Sequence, residues 1–197
     1  MAETVQERVQ EARDVALDLL KPTQAEIEHG LELHANSLVM ESYGFAPRFA
    51  PDGDAMRAAI EAGATEAELE DMSEDIMMTR GVRDAAARKE FLEAWDAAGM
   101  TCIFQNAGQE GMEVPRVIKR LAHFTWLTDM IRDDLFRAVT PEDIASAHAQ
   151  GRRCLYLSLN GVPVPLNLNC VEEELRYIGI FFHLGARMAH LLSLIHI

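Results

Sequence analysis

The sequence predicts an α/β protein, the first half of an eight-stranded βα barrel preceded by a helical N-terminal extension. Three observations predict it. Helical periodicity alternates again and again with short β-branched or aromatic runs, which is the pattern of parallel βαβ units. Four such runs are found, each but the last followed by at least one helix. A complete barrel typically takes ~250 residues, so four strands within 197 residues amount to half of one. No Gly-x-Gly-x-x-Gly or Gly-x-x-x-x-Gly-Lys-[Ser/Thr] follows any of the four runs. The competing doubly wound sheet therefore lacks its dinucleotide or phosphate-loop signature.

The elements follow in chain order. Thr4-x-x-Glu7 is a capping box that opens a helix with Val5, Val9, Ala12, Ala16, Leu19 and Leu20 on one face, and Pro22 stops it. Thr23-x-x-Glu26 opens a second helix, through Ile27 and Leu31 towards His34. Ser37 to Tyr43 holds three consecutive apolar residues and ends at Gly44, a short buried strand. Two acidic helices are expected next, one after Asp54 and one after the capping box Thr65-x-x-Glu68. A further helix runs from about Asp84 to Ala98, with Gly99 placed to terminate it. "MTCIFQN" reads as the second strand.

"EVPRVIKRLAHFTWLTDMIRDDL" carries Val114, Ile118, Leu121, Phe124, Trp126, Leu127 and Ile131 at helical spacing. Thr140 and Pro141 then cap a compact helix that ends at Gly151. "RCLYLSLN" is the third strand, "VEEELRYIGIFFHLGAR" a helix, and a final strand begins at Arg187. The acidic stretch from Glu61 to Asp75 reads as a solvated helical face, and Met72, Met77 and Met78 as core filler. His123, His148 and His183 fall within helices, where packing is commoner than ligation.

Charge narrows the partners. With 18 Lys+Arg against 32 Asp+Glu, the formal net charge is −14. Such a surface repels phosphate backbones and anionic lipid, so neither nucleic acid nor a membrane is expected. Cys102, Cys154 and Cys170 form no Cys-x-x-Cys pair and read as reduced, buried thiols. The polar, acidic start is unlike a signal peptide and no run reaches the length of a membrane span, so a cytoplasmic location is expected.

In a parallel α/β protein the chemistry sits at the C-terminal strand ends. Those ends are Tyr43-Gly44-Phe45, Gln105-Asn106-Ala107-Gly108 and Asn160-Gly161-Val162-Pro163. They offer amides, a phenol and glycines. An amide can orient a substrate, and Asn106 and Asn160 are the candidate substrate-binding residues. It cannot act as a general base near neutral pH or hold zinc well.

The order of these pieces resembles the membrane dipeptidase (renal dipeptidase) family, zinc peptidases on an amidohydrolase-type barrel. The resemblance covers roughly residues 23 to 191. "NSLVMESYGFAP" is similar to that family's first strand with its Asp-Gly-His-x-Asp-x-Pro end. "LNGVPVPLNLNCVEEELRYIGIFFHLGARMAHL" is similar to its Glu-Gly-Gly strand end, the following helix and the Leu-Gly-x-Arg entry to the next strand, and "HAQGRRCLYLSL" to the helix and strand before the Glu-Gly. The motifs YGFAP and NGVP then mark a branch of its own.

The resemblance implies zinc as cofactor and hydrolysis of dipeptides or small amides. It places Tyr43 where the family has a zinc-binding His, Phe45 where it has an Asp ligand, and Asn160 where it has the metal-bridging Glu. Each departure removes a ligand, so no intact metal site is expected in this chain. Three readings follow: a dipeptidase-like hydrolase with a reduced or relocated metal site; a metal-free barrel that binds a small molecule or peptide without catalysis; and an acidic helical adaptor.

The expected organisation is N-terminal helices over 1–36, a partial βα barrel over 37–191, and a tail over 192–197. That tail, "LSLIHI", is the translation of CTG TCT CTT ATA CAC ATC, a transposase-end sequencing adapter, and is read as an artefact; the alternative is a native buried strand. The chain alone is expected to be inactive, because the family places its substrate-contacting His and its remaining two His ligands in the second half of the barrel.

Overall fold

A computed structural model describes residues 4–43, 48–109, 111–162 and 170–190. The N-terminal helices α1 (Val5–Leu20) and α2 (Gln24–Ala35) both start at the expected capping boxes: the Thr4 and Thr23 hydroxyls accept from the third backbone N–H, and Glu7 and Glu26 reach back. Neither helix has a buried residue. α1 leans on the later helix α5 (Ala85–Ala98), with Arg8 and Glu90 3.4 Å apart.

The strand expected over Ser37 to Tyr43 is shorter, β1 (Met40–Glu41). α3 (Gly53–Glu61) starts one residue before Asp54, because Asp52 is its cap and accepts from the N–H of Asp54 and Ala55. α4 (Glu66–Thr79) opens at the Thr65–Glu68 box and runs into a 3-10 turn, Arg80–Val82. α5 ends on Gly99 at φ +61, a left-handed position that costs glycine little.

β2 (Cys102–Gln109) runs three residues beyond the expected run. α6 (Val114–Met130) is shorter than its apolar pattern suggests, and Leu135–Ala138 forms a strand, β3, that the sequence reading assigned in part to the helix. Ile131 and Leu135 continue the i, i+4 stripe, but Ile131 caps the helix at φ −118 and ψ 33 and both side chains end up buried. α7 (Pro141–Ala149) has Thr140 and Asp143 in a reciprocal capping box. β4 (Arg153–Asn160), α8 (Val171–His183) and β5 (Met188–His190) complete the described chain.

Among the described residues all pairings are parallel. β2 flanks β4 along its whole length, from Cys102↔Cys154 to Gln109↔Asn160. The other flank is shared: β3 pairs Arg153 to Tyr156, and β5 pairs Ser158 to Asn160. Leaving β3 aside as a short addition at the foot of β4, the path β1-β2-β4-β5 follows chain order, as the first four strands of a βα barrel do. The expected α/β class, with parallel strands, intervening helices and a helical extension, is what the chain adopts.

One core holds this together, built from Ile103, Leu155, Leu157 and Leu159 on the central strands against Trp95, Val117, Leu121 and Phe181 on helices. The indole N–H of Trp95 donates to the Met100 carbonyl (2.7 Å), so its burial leaves no orphaned donor. A second cluster contains Cys102 and Cys154, register partners with no exposed surface. The neighbouring Cys154 and burial push the Cys102 thiol far above its ordinary range, so it stays protonated.

At α7, the backbone N–H of Val139 and the N–H and hydroxyl of Thr140 hold the Asp143 carboxyl below its ordinary range. Thr140→Ala removes half of this box and is expected to cost about 1 kcal/mol in urea unfolding, with an unchanged m-value.

Candidate functional site

The site is built where β1, β4 and β5 end. Asn160 closes β4 and pairs with His190 at the end of β5, and the Gly161 N–H donates to the His190 carbonyl at 2.8 Å. Tyr43, two residues past β1, meets both: the Asn160 amide N–H donates to its hydroxyl at 3.3 Å, and its ring lies 5.8 Å from the imidazole of His190. Its backbone N–H is tied to the Glu41 carboxylate (2.7 Å).

Two strands, β2 and β4, lie between β1 and β5. In a flat sheet the outer pair would stand about 14 Å apart, three spacings of ~4.8 Å. Tyr43 and His190 span that gap with their side chains, their rings 5.8 Å apart over the strand ends between them.

Among the described residues, two atoms in this mouth are buried without a hydrogen-bond partner: Oδ1 of Asn160 and Nε2 of His190. A buried polar atom left unpaired costs about 1–3 kcal/mol, so such a pair on neighbouring strand ends marks a place where a ligand could repay the desolvation.

The end of β2 is shaped differently. The register shifts between Asn106 and Gly108, a β-bulge. Asn106 Oδ1 accepts from the Gly108 N–H (2.9 Å), so the oxygen of this candidate asparagine serves the bulge. Arg120, buried on α6, donates to the carbonyls of Ala107 (3.0 Å) and Asn106 (3.2 Å) and forms an ion pair with Glu74 on α4. Arg116 reaches the other Glu74 oxygen at 3.2 Å. Burial alone would raise the Glu74 carboxyl, but the Arg116 hydrogen bond and the charges of Arg120 and Arg116 outweigh it and hold the carboxyl below its ordinary range. The acidic stretch is therefore no uniformly solvated face: Glu74 is buried, and Asp71 and Asp75 both bridge to Lys119.

Of the residues singled out in the sequence, Tyr43 and Asn160 are brought together, Asn106 lies on β2 with its oxygen engaged, and Phe45 falls outside the described residues. The tail over 192–197 also falls outside them. His190 is the site residue that sequence reasoning passed over. Its signal was available: in a strand beginning near Arg187, Met188 and His190 share one face by the two-residue period.

Among the described residues, the donor set at the mouth does not suit a dinuclear zinc centre. Among the described residues no group of three or more His, Cys, Asp or Glu side chains converges as metal ligands. The described residues of the mouth offer one imidazole, one carboxamide oxygen and a phenol that already accepts a hydrogen bond, with no carboxylate or thiolate among them.

The architecture is thus that of a parallel α/β chain whose strand path β1-β2-β4-β5 follows chain order, with hydrogen-bonding side chains at its strand ends. Among solved structures, it is similar to an amidohydrolase from Pseudomonas aeruginosa, with 14% identity and a TM-score of 0.44 over 81% of this chain and 35% of that one. It is also similar to dipeptidase AC, a metallopeptidase of family M19, with 16% identity and a TM-score of 0.42 over 57% of this chain and 39% of that one. The chain spans little more than a third of the length of either structure. No family model and no curated protein matches it. Among the described residues no helix is long and apolar enough to cross a membrane.

Proposed function

We propose that this chain forms the N-terminal half of a dipeptidase-like hydrolase barrel. Its strand-end mouth takes the amide of a dipeptide or other small amide by neutral hydrogen bonds where the resembled family uses metal. The observation that carries this reading is the pair of buried, partnerless atoms, Asn160 Oδ1 and His190 Nε2. An amide edge complements them: its N–H donates to Asn160 Oδ1, while its carbonyl accepts from Nε2 when that nitrogen carries the proton. Tyr43 holds the asparagine through the carboxamide N–H, which leaves the oxygen for the ligand. Asn106 contributes through the bulge that it fixes at the neighbouring strand end.

The resemblance implies zinc, which in hydrolases would supply Lewis-acid activation of water. Tyr43, Phe45 and Asn160 stand at ligand-equivalent positions and cannot replace those ligands. Hydrolysis in this reading belongs to a complete barrel, and the half described here supplies binding. A second reading, a small-molecule or peptide-binding barrel without metal or catalysis, is favoured by the same neutral donor set.

Metal content tests the shared element of both. After dialysis against zinc and then buffer, the chain is expected to retain less than one equivalent by elemental analysis. Two tightly held zinc ions per chain would overturn the proposal.

A further inference from the structure

A second cleft, of about 560 Å³, lies between α3, α4, the 3-10 turn and α6 and shares no residue with the strand-end mouth. We propose that it binds a small monocarboxylate with an apolar or aromatic body, the carboxylate held by Arg83 and the body packed on Trp126.

The assignment rests on which charges in the cleft are already committed. Asp52 caps α3 through the N–H groups of Asp54 and Ala55. Asp75 is shared between Lys119 (2.8 Å) and His123 (3.0 Å). Asp84 caps α5 and pairs with Arg80 at 2.9 Å, and Arg80 also donates to the carbonyls of Ala50 and Pro51. Each aspartate therefore has its partners.

Arg83 does not. Its guanidinium lies 5.7 Å from the centre of the Trp126 ring, and among the described residues it makes no ion pair and no side-chain hydrogen bond. In a chain with 32 acidic and 18 basic residues, an arginine beside three aspartates that are all engaged elsewhere is a spare cation. With its charge over the Trp126 ring and no carboxylate partner among the described residues, the Arg83 guanidinium keeps its N–H donors available to a ligand carboxylate. Met72, Ile76 and Trp126 line the same cleft and supply apolar contact. Its volume lies in the range of small-ligand sites. The net charge of −14 sets the upper limit on ligand charge: a polyphosphate or dianion is repelled by the surrounding field, whereas a monoanion can offset that cost by burying its apolar body.

The chain contains two tryptophans. Trp95 is wholly buried with its N–H bonded inside the core, so Trp126 is the one that a cleft ligand touches. Phenylacetate added to the full chain is expected to change tryptophan emission saturably. The neutral isostere phenylacetamide, and phenylacetate with Arg83→Gln, are each expected to bind about tenfold or more weakly, a loss typical of a charge-assisted pair. Far-UV circular dichroism of Arg83→Gln should match the parent, since the side chain is exposed. No saturable response to phenylacetate, equal affinity for phenylacetamide, or a folded Arg83→Gln variant that binds as the parent does would each overturn the assignment.

Discussion

Glu74→Ala is expected to destabilise the fold by about 3–5 kcal/mol, because it leaves the buried Arg120 guanidinium without its counter-charge. The effect should spread beyond α4. Arg120 also holds the Ala107 and Asn106 carbonyls at the bulge, so losing its anchor loosens the end of β2. Replacing both partners with apolar residues, Glu74→Leu with Arg120→Met, should recover part of the loss, since no buried charge then remains, while the Ala107 and Asn106 carbonyls still lose their donor. The pH dependence has a definite sign. Glu74 is held below its ordinary range in the fold. Its contribution is therefore fully present above the unfolded carboxylate pKa of about 4.3 and is lost as pH falls through the lowered folded value. Urea unfolding of the parent should show this loss on its acid limb, and Glu74→Ala should lack that share of it. Equal stability of the parent and Glu74→Ala at neutral pH would remove the ion pair from its supporting role.

The second large effect is expected at the mouth, where stability and binding should move in opposite directions. Asn160→Leu removes the buried, partnerless Oδ1. The free protein is relieved of an unsatisfied oxygen, worth about 1–3 kcal/mol, and the Tyr43 hydroxyl that loses its donor belongs to a side chain 45% exposed and can turn to water. Stability should hold or rise. Binding of a neutral capped amide such as N-acetylglycinamide should weaken by about tenfold or more, the loss of one buried hydrogen bond. Calorimetric titration reads the second change and urea unfolding the first. A residue placed only for packing would show a stability loss with no specific effect on the amide.

Local signals in the sequence carried most of the elements. Thr4, Thr23, Thr65 and Thr140 each cap a helix where the spacing puts them, and Gly99 ends α5 in the left-handed conformation it was expected to adopt. These are contacts within four residues, so short-range pattern suffices. What pattern could not supply was long-range. β3 was hidden because Leu135 continues the helical stripe of α6, and only pairing with Arg153 to Tyr156 makes it a strand. Glu74 looked like one more charge on a solvated helix, and only the approach of α6 buries it. Tyr43 and Asn160, 117 residues apart in the chain, are singled out by strand-end placement and by the family resemblance. The two-residue period places His190 on a strand face, but its meeting with Tyr43 is a long-range contact that no local period encodes.

The neutral mouth is tested most directly at His190 itself. In a ¹⁵N spectrum of the imidazole nitrogens, assigned with His190→Phe, the Nε2 signal is expected to shift saturably as N-acetylglycinamide is added. The shift should be lost in Asn160→Leu. A His190 signal that stays fixed while the amide binds, or amide binding that His190→Phe retains in full, would contradict a strand-end site formed by Tyr43, Asn160 and His190.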